Sequence, residues 1–506
     1  MSDEKGEALQ STNPYVPDSG QAEVPNSYAP DSGQPDGEKM KPQDTAEKDK
    51  VPVGEKVAYG LGSGSFQVAT DGVRGGLAYD IFNVTLHVPP QWLGLVLMFY
   101  RFFDALTDPL MGKISDNFRS RFGRRKPFIF VGSFMTAVAF ILVWQVPTGW
   151  SHWNILIYYM LALFFFDICN TIQTVPYHTL GLEMSADYHE RTSVSGYKMI
   201  FSFAFTLMLP WVFRIAKSDY FPDPMTGVRF LSYFVAVMVV VGGILPAIFV
   251  KERYYHIAKS QAKISFWKGL KLTFSNRAFL LLTGILLLVG IGNGLVANFS
   301  RYIVYYYIFG GNIKEGAELA AIGANVSQVG ALICVPLMTL VSKKLGKIPT
   351  LKALIVLGII GSLSTLIFYN TSFPWLILAS SVIGAPMVAG YWTITGSMKA
   401  DICDDDELRH GMRREGMFGA IGNWVIKTAL SLTAFLAGSM LWVTGFNAEL
   451  EGAQDPTALL KLRLFFAFIP AAFSIAGLIV LHFYPLNEHR MAEIRRELEA
   501  RRKEVV

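Results

Sequence analysis

The sequence predicts an all-α membrane protein of twelve spans in two six-helix bundles, and three observations carry that prediction. The chain of 506 residues is 52% hydrophobic and only 17% charged, with a mean hydropathy of +0.34, too apolar for a soluble protein of this size. About twelve apolar stretches are each long enough to cross ~30 Å of hydrocarbon. Basic residues gather in the loops of one side, and the longest link between stretches, residues 251–277, falls between the sixth and the seventh.

Residues 1–55 come first, rich in Pro, Gly, Ser, Asp and Lys, with a near-duplicate PDSGQ at Tyr15–Gln21 and Tyr28–Gln34. Too little apolar surface is present to fold, so a disordered cytoplasmic tail is expected. This acidic, polar start is the opposite of a cleavable signal peptide, and the first span is expected to be its own insertion signal. Residues 56–250 then form the N-terminal six-helix bundle, with spans near 57–84, 92–113, 127–146, 153–181, 196–216 and 228–250. Residues 251–277 form a cytoplasmic linker, in which the run ISFWKGLKLTF from Ile264 alternates basic and apolar residues as a helix lying on the inner leaflet does.

Residues 278–485 form the C-terminal six-helix bundle, with spans near 278–309, 318–341, 349–369, 374–399, 417–445 and 463–484, and residues 486–506 are a basic cytoplasmic tail. The loops at 114–126, 251–277, 342–348 and 400–416 and the final tail hold most of the Lys and Arg, so the positive-inside rule puts both termini in the cytoplasm of a plasma membrane, read as a bacterial inner membrane. A faint repeat relates the halves: SDNFRSRFGRRKP follows the second span and SKKLGKIP the eighth. Paired halves around a midplane site are the organisation of many secondary transporters. The three cysteines, Cys169, Cys334 and Cys403, show no CxxC spacing and read as packing residues.

Charge inside the spans marks the candidate site. Asp104 and Asp108 lie one helical turn apart in an apolar run, with Arg101 on the same stripe and Thr107 between them. An ionised carboxylate at bilayer depth costs several kcal/mol, and one arginine cannot neutralise two acids, so a second cation is expected there. The first span carries Gln67, Asp71 and Arg74 on a single face, which must meet a wet cavity or a partner helix. Asp71 and Arg74 either pair for packing or bind substrate, Asp71 at a hydroxyl and Arg74 at an anionic group. Lys427 stands alone in an apolar span and needs a carboxylate or a substrate. In the fourth span Asn170, Thr171, Gln173, Thr174 and His178 form a polar stretch broken by Pro176; His178 has no second histidine nearby to suggest a metal.

These motifs resemble a known group. The loop from Gly112, GKISDNFRSRFGRRKP, resembles the basic signature between the second and third helices of the major facilitator superfamily, and RFFDALTDPLMG from Arg101 resembles the second-helix signature of the glycoside-pentoside-hexuronide cation symporters, the family of the melibiose permease. The resemblance runs from about Tyr59 to the end of the twelfth span, and it implies the major facilitator fold. It also implies that Asp104 and Asp108 hold the coupling cation, with Thr171 as a neighbouring oxygen ligand. Hard oxygens of this kind suit Na⁺ or H⁺, and Thr107 could serve either. In the second half YWTITGSMKADICDDDE from Tyr391 and RREGMFGAIGNWVIK from Arg413 continue the match, placing Trp392 on an aromatic used at the sugar and Lys427 on a lysine implicated in the site. The permease's main sugar carboxylates fall on Gln67 and Thr174, so its sugar clamp is not preserved here.

The expected function is cation-coupled symport of a sugar, glycoside or sugar acid, with substrate contacts from Gln67, Asp71, Arg74, Arg101, Thr174, Trp392 and Lys427. A lipid or lysolipid carrier of the same fold, and a membrane receptor or sensor, are the alternatives. Inner-loop charges at Asp116, Arg124, Arg125, Asp401, Asp404 and Arg414 are expected to form a cytoplasmic gate between the halves. No P-loop, catalytic triad, HExxH or GxGxxG in a βαβ setting is visible, so an enzyme is not expected. Neither a cofactor nor a metal beyond Na⁺ is implied; the partners are a small-molecule substrate, the coupling ion and the bilayer, with no nucleic acid, and a monomer is expected.

Overall fold

The computed structural model describes residues 50–185, 188–252, 271, 273–410 and 415–504. The expected disordered tail to residue 49, the amphipathic part of the linker and Arg414 lie outside them. Twelve long helical segments follow in order: α1 Val53–Arg74, α2 Pro90–Asn117, α3 Lys126–Trp144, α4 His152–Leu182, α5 Tyr188–Thr206, α6 Pro224–Phe249, α7 Arg277–Val296, α8 Ile313–Leu345, α9 Lys347–Phe368, α10 Ile377–His410, α11 Glu415–Val443 and α12 Pro456–His482. Ten of the spanning segments among the described residues are long and apolar enough to cross a membrane. The remaining two, α1 and α2, carry the charged stripes, and their polarity is what holds them apart from the rest.

Local chemistry sets the helix starts. Ser151, Asp223, Asn276, Asn312 and Asp455 accept backbone N–H groups at the first turns of α4, α6, α7, α8 and α12, as N-cap residues do. Three spans are interrupted. The first helix stops at Gly75, which is extended, and resumes through Gly76–Ala78 and a π-helical turn Tyr79–Thr85. The fifth span breaks after Thr206 and continues as Leu209–Ala216 with Pro210 in its first turn. The seventh breaks at Ala297 and continues through Phe299–Tyr302 and Ile303–Ile308. Proline and loose turns free backbone groups inside a membrane only where neighbouring helices can satisfy them.

Most helix packing stays within the first six segments or within the last six; the pairs that cross are chiefly α2 with α11 and Leu209–Ala216 with α8. Glycine permits the first crossing. A Cβ on Gly94 would come within 2.5 Å of the Ala434 carbonyl, and one on Gly438 would strike the Pro90 carbonyl. Large apolar side chains such as Phe230, Ile333 and Ile367 are exposed around the outside, the surface that meets hydrocarbon. Beyond the twelfth span, the expected basic tail is folded: Glu488–Glu504 forms α13, which buries Met491, Ile494 and Leu498 and donates from Arg501 Nη1 to the Leu408 carbonyl at the end of α10, 2.8 Å away. The three cysteines are free thiols.

Candidate functional site

The crossing of α2 and α11 joins the residues that the sequence singles out. Asp104 and Asp108 stand near the middle of α2, and Lys427 stands near the middle of α11. The lysine bridges both acids, with Nζ 2.6 Å from Asp108 Oδ2 and 3.1 Å from Asp104 Oδ2. The second cation expected beside the two acids is therefore Lys427, from 319 residues away in the chain. Among the described residues Arg101 has no hydrogen bond or ion pair; it lies within electrostatic reach of Arg74, Asp104 and Asp71. It shares the stripe of the two acids but stands about two turns before Asp108 along α2.

A third acid completes the cluster. Asp167, near the middle of α4, is fully buried, and its Oδ2 accepts the Thr107 hydroxyl at 2.8 Å. That hydroxyl also lies 3.3 Å from the Asp104 carbonyl and 3.4 Å from Thr171 Oγ1, so Thr107 is the centre of an oxygen nest shared by α2 and α4. The second oxygen of Asp167, Oδ1, is buried without a partner. A buried carboxylate with one empty oxygen calls for a positive ligand. Sequence reasoning passed over Asp167 within the aromatic run before Cys169, although the rule that marks Asp104 applies equally to it: an acid at bilayer depth, one turn before Thr171.

The stripe on α1 assembles as its spacing predicts. Asp71 takes a hydrogen bond from Gln67 Nε2 at 2.5 Å on one oxygen and from Arg74 Nη2 at 3.1 Å on the other. Arg74 in turn is in electrostatic reach of Asp104 and Asp108. Taken together, four acidic side chains (Asp71, Asp104, Asp108, Asp167) share one field with three basic ones (Arg74, Arg101, Lys427). Thr174 is turned onto its own helix, donating to the Asn170 carbonyl at 2.8 Å. Trp392, half-way along α10, is 51% exposed, and its ring contact among the described residues is edge-on with Tyr391. No group of three or more metal-ligating side chains is found among the described residues.

Among the described residues, the partners seen for Arg124, Arg125 and Asp401 lie within their own half. Arg124 and Arg125 reach Glu183 at the end of α4, while Glu252 accepts the backbone N–H groups of Arg124, Arg125 and Lys126. Asp401 on α10 is bonded by Lys347 of α9 at 2.6 Å and by Arg495 of α13 at 3.3 Å. Asp404 is half-buried on α10; the Asp116 side chain, like Arg414, lies outside the described residues. Among the described residues, the ion pairs that cross between the halves, other than those of Lys427, stand at the other end of the helices. There Asp80, buried after α1, is bonded by Arg301 and by Tyr305, the latter at 3.2 Å, and Tyr302 donates to Asn83 at 2.7 Å. Arg214 with Glu318 at 3.1 Å and Lys314 with Asp219 at 2.5 Å reinforce them. The cross-half latch among the described residues is thus at the end away from the basic loops. Asp80 and Arg301 were not singled out in the sequence, since each sits at the end of a span where a charge is unremarkable.

The chain matches the family model described as MFS/sugar transport protein over residues 58–488, which is most of its length. The chain belongs to this family. As a member it is a multi-pass membrane transporter rather than an enzyme, and a symporter that couples a small-molecule substrate to a cation. Its relatives include the uncharacterized symporter YnaJ of Bacillus subtilis, 27% identical over 90% of this chain and 96% of that protein. A glucuronide carrier protein homolog of Escherichia coli is 23% identical over 81% and 88%, and a sodium-dependent lysophosphatidylcholine symporter 1 of Xenopus tropicalis is 25% identical over 92% and 94%. In fold it is similar to the D-xylose-proton symporter, with a TM-score of 0.61 at 14% identity over 86% of this chain and 98% of that one. The nucleoside transporter NupG gives 0.58 at 13% over 85% and 99%. The twelve-helix major facilitator architecture thus holds.

Proposed function

We propose that this symporter couples inward movement of a monovalent cation, Na⁺ or H⁺, to uptake of a sugar, glycoside or sugar acid by alternating access. The observation that carries the reading is the cluster of Asp104, Asp108 and Asp167 at midplane, its first two acids clamped across the halves by Lys427 and its third joined to them through Thr107. A cation entering at Asp104, Asp108, Asp167 and the hydroxyls of Thr107 and Thr171 neutralises the cluster and competes with Lys427 for its acids. The lysine is then available to substrate, together with Gln67, Asp71, Arg74, Arg101, Thr174 and Trp392. A carrier holding both ligands reorients and a half-loaded one does not, which is coupling by linkage. The gate residues Arg124, Arg125, Asp401 and Asp404 then take their turn in the state closed at the basic end.

The basic loops orient both termini to the cytoplasm of a plasma membrane. One observation favours a second reading, a lysolipid carrier: an apolar crevice of about 310 Å³ lies between α1, α5 and α6, lined by Met208, Trp211, Phe234 and Met238. The test is uptake into proteoliposomes of labelled glycosides, uronates and lysophosphatidylcholine under an imposed Na⁺ or H⁺ gradient. Gradient-driven accumulation of a glycoside or uronate, lost in Asp104→Cys and Asp108→Cys with exchange retained, is the expected outcome. Full accumulation in both variants would sink the cation-site assignment, and accumulation of the lysolipid alone would replace the sugar reading with the second one.

A further inference from the structure

Two turns beyond Thr171, α4 carries His178, and Lys198 of α5 faces it with Nζ 3.3 Å from His178 Nδ1. An ammonium has donors only, so the imidazole accepts through Nδ1, keeps its proton on Nε2 and is neutral in this pairing. The pair therefore presents one positive charge and one further N–H donor. Among the described residues, neither group meets a carboxylate. That sets Lys198 apart from Arg74, Arg301 and Lys427, each of which has an acid within hydrogen-bond distance.

The placement is that of a ligand site rather than of a packing contact. The His178 side chain is exposed rather than packed into the core although it stands on a spanning helix, and it lies within electrostatic reach of Lys427. It follows Thr174 by one helical turn, a rise of about 6 Å, which one sugar ring bridges, and it follows Thr171 by about 10 Å. A cation left without an acid on a spanning helix is a liability in the membrane unless a substrate charge completes it.

We propose that His178 and Lys198 form an oxyanion subsite, which takes the anionic group of the substrate while the neutral body of the molecule extends towards Thr174 and Lys427. The inference rests on the symport reading above and narrows its substrate to an organic anion. The loaded carrier is then balanced twice, by the coupling cation at the aspartate cluster and by the substrate anion at Lys198. The same chemistry is offered by the carboxylate of a sugar acid and by the phosphate of a lysophospholipid.

The experiment measures binding to the purified full chain in lipid nanodiscs, in saturating Na⁺, with four probes: glucuronate, its neutral counterpart glucose, lysophosphatidylcholine, and a monoacylglycerol of the same chain length. At least one probe that bears an anionic oxygen group, the carboxylate of glucuronate or the phosphate of zwitterionic lysophosphatidylcholine, should bind ten or more times more tightly than its partner lacking that group, glucuronate marking a sugar acid as the source and lysophosphatidylcholine a phospholipid. Hydrogen bonds to charged groups are of a strength that makes Lys198→Gln weaken that probe by about ten- to a hundredfold. Lys198→Arg should restore it to within about threefold, and radioactive Na⁺ binding should be unchanged in both variants. Should Lys198→Gln fail to fold, the wild-type preference and Lys198→Arg still decide the matter. Equal binding of neutral and anionic probes, no binding of any of the four with Na⁺ binding intact, or a Lys198→Gln effect below threefold overturns the subsite alone. Absence of both probe and Na⁺ binding in the wild type overturns the symport reading beneath it.

Discussion

Replacing Asp104 by asparagine changes one charge at nearly constant volume, and its consequence can be worked from the geometry. Asp104 is 8% exposed, so solvent screens it little, and it is one of the two acids that Lys427 holds. Asparagine removes its negative charge. Two unit charges about 4 Å apart interact by about 4 kcal/mol at an effective dielectric of about 20, which corresponds to roughly a thousandfold in affinity for a bound monovalent cation. The fold should survive, because Lys427 keeps Asp108 at 2.6 Å and α2 keeps its approach to α11. Radioactive Na⁺ binding to purified protein, read beside a thermal melt, is the assay. The account expects saturable Na⁺ binding in the wild type to disappear from the accessible range in Asp104→Asn, with the melting temperature moved by no more than a few degrees. Na⁺ affinity within threefold of the wild type would refute the charge argument; loss of binding together with a collapsed melt would show only that the variant is misfolded, and Asp108→Asn then serves as the second trial of the same charge.

Other consequences are open to measurement. Thr107→Val removes the hydroxyl that Asp167 accepts at 2.8 Å and should weaken cation binding about tenfold, with Thr107→Ser close to wild type; equal affinities in all three would remove Thr107 from the site. At the far end, Arg301→Gln deprives buried Asp80 of its partner across the halves. Maleimide labelling of a cysteine placed at Ser300, on the wall of the cavity of about 460 Å³ that Arg301 and Tyr305 also line, should then speed up, and an unchanged rate would mean that the pair is no latch. Gly76→Ala acts on the same latch by another route, since its Cβ would occupy the Arg301 guanidinium position. At the basic end, Arg495→Gln removes a half-exposed partner of Asp401 and should cost no more than about 1 kcal/mol, whereas Asp401→Asn loses both Lys347 and Arg495 and should lower the melting temperature more. The reverse order would show that α13 is held elsewhere.

Much of this architecture is legible in the sequence because a membrane enforces simple rules. Apolar length located the spans, most of them within a few residues of the helices observed, and basic loops separated one side from the other. The intramembrane charges announced themselves for the same reason, and the i, i+4, i+7 spacing of Gln67, Asp71 and Arg74 foretold a connected stripe on one face. What spacing cannot give is the partner across the bundle. Arg101 is the near neighbour of Asp104 in sequence, yet Lys427 takes both acids because the glycines of α2 and α11 bring those helices together. Asp167 was readable by the rule used for Asp104 and was lost in a run of phenylalanines. The latch of Asp80 and Arg301 depends on two helix breaks, at Gly75 and Ala297, and on which end of the carrier is closed, which is a property of conformation rather than of composition. The same holds for the inner-loop charges, whose partners change with that state. The fold of the last residues had a signal that polarity concealed: Met491, Ile494 and Leu498 recur at helical spacing within a highly charged run.

The central claim is that one monovalent cation completes the midplane cluster. The stoichiometry of ion binding tests it most directly, by counting moles of Na⁺ bound, or of protons taken up, per mole of folded carrier at saturation. The account predicts one ion per chain in the wild type and none in Asp104→Asn. Two ions per chain, or one that persists when Asp104 and Asp108 are both neutralised, would contradict it.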